Sequence, residues 1–256
     1  MRRVITVILY ILSCVVLIPV AGTVIMSFVV DGKLSIKAWK DLLFDCIVFY
    51  PMFWNTLLYA LMIAALSLIV AVPEAFGIRL LKNRFSSSVS WLYMFLMMLP
   101  LQVTLLPVYI QMRDMHLLDT RACIILPEVF GTTGTVLMMQ YMKSFDTSIV
   151  EAARLETSSV ISIIIHIVVP EVRACVGMVF LINFVNAYSL LEQPLLYLED
   201  QRLKNLTVFI SQADKYTGNV MFPASVIYMI PVLLLYLLLN QINILDVIRH
   251  KREAGQ

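Results

Sequence analysis

The chain has 256 residues, of which 61% are hydrophobic and only 14% charged, with a mean hydropathy of +0.88 and a formal net charge of +2. That balance leaves too little polar surface to coat a soluble globule. It also points to no nucleic-acid partner, because the basic residues border apolar runs instead of forming one patch.

In chain order, the charge-free runs are Val4–Val30, Cys46–Pro73, Phe85–Met112, Ala174–Leu191 and Tyr216–Leu245; Ala122–Met142 is interrupted only by Glu128. Each is near or above the roughly 20 residues a helix needs to cross about 30 Å of hydrocarbon. The runs predict an all-α integral membrane protein with six transmembrane helices, at about 4–30, 50–78, 86–112, 121–142, 174–198 and 219–245, in a single domain over 1–256. The first run is longer than the apolar core of a secretion signal and is read as a retained helix. Prolines within or bordering the spans, among them Pro100, Pro107, Pro127, Pro194 and Pro231, suit helices bent around a cavity, since each removes a backbone hydrogen bond. Cys14, Cys46, Cys123 and Cys175 are scattered and suggest neither a disulfide framework nor a metal site, and no histidine has metal-ligand spacing.

Six spans put both termini on one side. Placing them in the cytoplasm gathers eleven of the nineteen basic residues there, Arg2 and Arg3 before the first helix and Arg249, Lys251 and Arg252 after the last among them. The longest stretch outside the spans is then cytoplasmic, at 144–171. Within it Ser148 and Glu151 have the spacing of a capping box, which predicts a short helix starting at Ser148. Thr157-Ser158-Ser159 predict a turn or kink, and Pro170 is expected to end the apolar piece Val160–Val169.

This stretch, EAARLETSSVISIIIHIVVP, resembles the cytoplasmic signature of binding-protein-dependent ABC importer permeases: E-A-A, a glycine six residues after the glutamate and a proline nineteen after it. Glu151, Ala152, Ala153 and Pro170 match in register, and Thr157 stands where the glycine is usual. A glycine would allow a left-handed turn that threonine resists. The resemblance is closest to the carbohydrate branch, in subunits similar to the smaller maltose permease. It is carried by Asn55-Thr56, by Leu99-Pro100 with Gln102-Val103, by Pro107-Val108-Tyr109, by His116-Leu117-Leu118-Asp119-Thr120 and by Glu192-Gln193-Pro194-Leu195. The chain departs from that branch at Tyr188-Ser189, where Trp-Asn is usual, and in its C-terminal tail.

The resemblance implies a type I ABC importer permease fold in a bacterial cytoplasmic membrane, moving a sugar or oligosaccharide. It implies a homologous second permease, two ATPase subunits or domains that use ATP and Mg, and an extracellular solute-binding protein. Residues 144–171 would be the coupling segment that docks on the ATPase, with Glu151, Ala152, Ala153, Arg154, Thr157 and Pro170 as its residues. The chain itself is expected to be no enzyme and to need no cofactor. Its one Gly-Lys pair, Gly32-Lys33, lacks the earlier glycine of a phosphate-binding loop.

Polar groups inside spans are costly and mark a cavity, a partner or the interface. Glu128, Asn183, Asn186, Tyr188, Ser189 and Glu192 are therefore the substrate-path candidates. A non-sugar solute is the nearest alternative. An ATP-independent secondary transporter would show ionisable relays or repeat symmetry, and a membrane-embedded enzyme would show a convergent nucleophile or metal set; neither pattern occurs in the spans.

Overall fold

The computed structural model describes residues 2–81, 83–157, 159–215 and 219–253. Helix α1 (Arg2–Met26) leads into a hairpin in which β1 (Val29–Val30) pairs antiparallel with β2 (Lys33–Leu34). Asp31 and Gly32 turn it at φ 51° and 74°, the left-handed pair that a two-residue hairpin loop demands. A short α2 (Lys37–Lys40) and a π-turn over Asp41–Asp45 then reach α3 (Phe49–Leu80), followed by α4 (Asn83–Met97) and α5 (Leu101–Asp114). Helices α6 (Ala122–Val129) and α7 (Thr132–Met142) complete one span. Outside it lie α8 (Ser148–Glu156), α9 (Val160–Ile163) and α10 (Val169–Glu171), the last two joined by a π-turn over Ile164–Val168. Then come α11 (Arg173–Tyr188), α12 (Glu192–Tyr197), α13 (Leu206–Ser211) and α14 (Met221–Glu253).

Among the described residues, three stretches are long and apolar enough to cross a membrane: Phe49–Leu80, Ala122–Met142 and Met221–Leu238. Two more arise if bent pairs are single spans, Arg84–Met97 with Leu101–Asp114 at 95° and Val160–Glu171 with Arg173–Tyr188 at 86°. The described residues are thus mostly helical and hold three to five spans by this measure, where the sequence predicts six. At the N-terminus α1 runs over 25 residues and includes the apolar stretch Cys14–Met26. The expected span at 86–112 falls on two helices. Pro100 stands extended at φ −67° and ψ 144°, and the residue before a proline is pushed out of the helical region, so the chain turns there.

Helix α3 is the post around which the rest assembles. Ala60, Ala64, Ser67, Ala71 and Ala75 recur about every four residues and are all buried, a ridge of small side chains that lets neighbouring helices approach closely. Helix α11 and helix α7 pack on that ridge. Gly134 of α7 has no side chain because there is no room for one: a Cβ there would sit 2.8 Å from Asn183 Nδ2. The opposite face of α3 presents Tyr50, Trp54, Leu61 and Ile69 outward, as expected of a lipid- or partner-facing stripe.

Polar side chains stitch one end of the helices together. Asn55 Nδ2 donates to the carbonyls of Arg202 and Lys204 at 2.6 and 3.2 Å, Thr56 Oγ1 accepts from Leu206 N at 2.7 Å, and the Tyr59 hydroxyl donates to Leu203 at 2.7 Å. Asp119, left-handed at φ 56°, accepts from the backbone N–H groups of Glu199 and Asp200. Asn55-Thr56 and the His116–Thr120 stretch thus serve to pin the segment between α12 and α13.

Candidate functional site

Two places concentrate polar residues that the spans alone do not need. The first is α8. Its inner side chains Val150 and Ala153, 1% and 8% exposed, sit in a core cluster with Phe76 of α3, Met138 and Met142 of α7, and Val172 and Cys175 near the start of α11. Arg79, at the end of α3, donates from Nη2 to the carbonyl of Phe145 at 3.3 Å, tying the post to the approach of α8. The outward side chains are Ile149, Glu151, Ala152, Arg154 and Leu155, the last 91% exposed. The result is a rigidly seated helix with a mixed charged and apolar face.

The local chemistry differs from the predicted capping box. The helix does start at Ser148, but Ser148 is its first residue and Thr147 the cap, which makes no side-chain bond. The carboxylate that serves this end is Asp146, whose Oδ1 accepts from Ser148 N at 2.9 Å; that N–H holds the Asp146 carboxyl below its ordinary range. Glu151 lies in the first turn, where a negative charge suits the helix dipole.

At Thr157 the backbone is extended, φ −142° and ψ 139°. No left-handed turn is needed, so the threonine is at home where a glycine is usual. Its Oγ1 accepts from Ser159 N at 3.2 Å, and Ser159 Oγ accepts from Ser162 N at 3.3 Å to cap α9. Ser158, part of the predicted turn, lies outside the described residues. Pro170 does not end the helical path as expected. It sits inside α10, where the first turn tolerates its missing N–H, and the direction changes after it at Val172.

The second place is a cavity of about 40 Å³ between α6, α7 and α11, with Glu128, Thr133, Asn183 and Asn186 among its lining residues. Asn183 Nδ2 donates to Ser67 Oγ of α3 at 2.7 Å, so this candidate also holds two spans together. Asn186, one turn on, is exposed. Glu128 Oε1 accepts from Gln193 Nε2 at 2.6 Å, and Glu192 Oε1 accepts from Gln102 Nε2 of α5 at 3.2 Å. The Glu192-Gln193 pair therefore fastens α12 to two neighbours. The amide oxygen of Gln193, a residue 6% exposed, has no hydrogen-bond partner.

Tyr188 and Ser189 are not part of this cavity. Tyr188 is 1% exposed and its hydroxyl donates to the carbonyl of Tyr228 at 2.8 Å, which makes it core. Ser189 is exposed, but its hydroxyl turns back to the carbonyls of Val185 and Asn186. Sequence reasoning missed Glu74, which lies inside α3 and accepts from the Thr135 hydroxyl of α7 at 2.8 Å. Its signal was present: a lone acid within the predicted span 50–78. Among the described residues no group of acidic, histidine or cysteine side chains is arranged to hold a metal.

No family model matches the chain. It is 25% identical over 193 residues to the sn-glycerol-3-phosphate transport system permease protein UgpE of Brucella abortus, covering 73% of this chain and 68% of the relative. It is 22% identical to the arabinooligosaccharides transport system permease protein AraQ of Bacillus subtilis over 74% of this chain and 69% of the relative. Against the lactose transport system permease protein LacG of Rhizobium radiobacter the identity is 26%, over 72% of this chain and 68% of the relative. Its fold is that of a chain in a bacterial ABC transporter involved in the import of the acidic polysaccharide alginate, with a TM-score of 0.80, 21% identity and coverage of 94% and 95%. Relatives and fold agree on the class. The chain is a multi-pass membrane permease of the ABC-importer type, of the kind found in carbohydrate systems.

Proposed function

We propose that this chain is one half of the translocation pathway of an ATP-driven importer for a sugar or oligosaccharide. It would cross the membrane six times with both termini in the cytoplasm and pair with a homologous permease. An extracellular binding protein would deliver the solute, and two ATPase subunits or domains, with ATP and Mg, would supply the energy. The observation that carries this reading is α8: a helix outside the spans, anchored by Val150 and Ala153, that offers Glu151, Ala152, Arg154 and Leu155 to a partner. The E-A-A residues fall on that helix in the register of the permease signature. The sequence carries no phosphate-binding loop, which supports a reading in which the nucleotide binds to the partner subunits.

The sugar rests on the lactose and arabinooligosaccharide names of two relatives. The glycerol-phosphate relatives favour a second reading, in which the solute is a phosphate ester. Affinity purification of the full chain in mild detergent tests the assignment. The expected yield is a second permease and an ATP-binding subunit, with ATP turnover that follows the latter; turnover by the rigorously isolated chain, or a complex without any ATPase, would contradict it.

A further inference from the structure

Residues 27–48 join α1 to α3, and their charged side chains serve neither α8 nor the polar cavity. Between the β1–β2 hairpin and α2 they form an open groove of about 790 Å³, a size ordinary for a small-molecule site. Ser35 ties the two elements together: its N–H donates to the carbonyl of Phe28 at 2.8 Å, and its Oγ accepts from Lys37 N at 3.1 Å. Ala38 and Leu42, both buried, seat α2 and the π-turn that follows it.

Four charged residues line the groove, Lys37 and Lys40 from α2 and Asp41 and Asp45 from the π-turn. Among the described residues no ion pair or side-chain hydrogen bond joins them, although Lys37 and Asp41 have the four-residue spacing at which helical charges meet. The same space is therefore offered two free cations and two free carboxylates. The rest of the wall is apolar: Phe28, Leu34 and Ile36 are exposed along it, and Trp39 stacks on Phe28 with ring centroids 5.6 Å apart. Because the connector runs straight into the span Phe49–Leu80, it lies at headgroup depth, where aromatic rings and lysines on apolar stems settle.

We propose that this groove binds a zwitterionic phospholipid with a primary ammonium, phosphatidylethanolamine. Lys37 and Lys40 take its phosphate, Asp41 and Asp45 accept from its ammonium, and Phe28 and Leu34 meet the glycerol and the first acyl carbons. A choline headgroup carries the same charges but no N–H, and a glycerol headgroup carries no cation, so either leaves the carboxylates without a charged donor. The inference rests on the proposed function only in that α1 and α3 both cross the membrane.

The test places a photo-crosslinking residue at Leu34 in the purified assembled transporter, in vesicles of equal parts phosphatidylethanolamine, phosphatidylcholine and phosphatidylglycerol, and identifies the adducts by mass spectrometry. Ethanolamine adducts should exceed each of the others by about tenfold, the effect of one charge-assisted hydrogen bond. Asp41→Asn with Asp45→Asn should level ethanolamine with choline, and Lys37→Gln with Lys40→Gln should lower the yield of all three. Equal adducts in the wild type, a preference for choline or glycerol headgroups, a preference that survives the aspartate substitutions, or crosslinks to protein in place of lipid would overturn the inference. A preparation that lacks an ATPase or a second permease would instead sink the functional reading, so the two failures are separable.

Discussion

Glu151 is exposed, and its side chain makes no hydrogen bond among the described residues. Its fold-level contribution is that of one acid in a helix's first turn, about 0.3–1 kcal/mol. Glu151→Ala should therefore leave insertion and subunit assembly intact. A charge-assisted bond across the ATPase interface is a larger matter, about 1.5–3 kcal/mol, so uptake and solute-stimulated ATP hydrolysis in reconstituted vesicles should fall roughly tenfold or more. A variant that assembles and transports like the wild type would reduce Glu151 to a helix-dipole residue. Gly134 is the converse case, a residue with no chemistry and a strict steric role. In Gly134→Ala the new Cβ meets Asn183 Nδ2 at 2.8 Å, and that amide is held by Ser67. It cannot swing aside without losing its bond. Overpacking of this kind costs about 1–3 kcal/mol, which should appear as a lowered melting temperature in detergent; an unchanged melting temperature would mean that α7 and α11 separate freely.

At the scale of elements, some of the design was visible in the chain and some was not. Apolar runs are local, so the helices and the start of α8 at Ser148 could be read directly. The cap could not, because Ser148, Asp146 and Thr147 each carry a side-chain oxygen able to accept from the backbone and only geometry chooses Asp146. The break at Pro100 and the turn after Pro170 depend on where each proline falls relative to a helix start, which composition does not reveal. Glu74 was legible as a lone acid in a span, but its partner Thr135, 61 residues away, was not. The bond from the Tyr188 hydroxyl to Tyr228, 40 residues away, was equally hidden from the sequence. Thr157 is the clearest correction of a local expectation. Since its backbone is extended, Thr157→Gly should bring no relief and should cost about 0.5–1 kcal/mol in chain entropy, besides the Oγ1 bond to Ser159 N. Hydrogen exchange across α8 and α9 should quicken in that variant; slower exchange would mean that the threonine is strained after all.

At the scale of the molecule, one post connects both sites. Helix α3 supplies Ser67 to the polar cavity's Asn183 and, about three turns on, Phe76 and Arg79 to the seat of α8. A displacement of α8 therefore has a packed route to the cavity, through buried side chains that close packing makes stiff. The account stands on α8 being the surface that an ATPase grips. The most direct measurement places a photo-crosslinking residue at Leu155, 91% exposed on that helix, in the intact complex in native membranes. The account predicts one crosslinked product with an ATP-binding subunit, in a yield that changes between nucleotide-free and nucleotide-bound states. Crosslinks to lipid alone, or to no ATP-binding protein in either state, would contradict it.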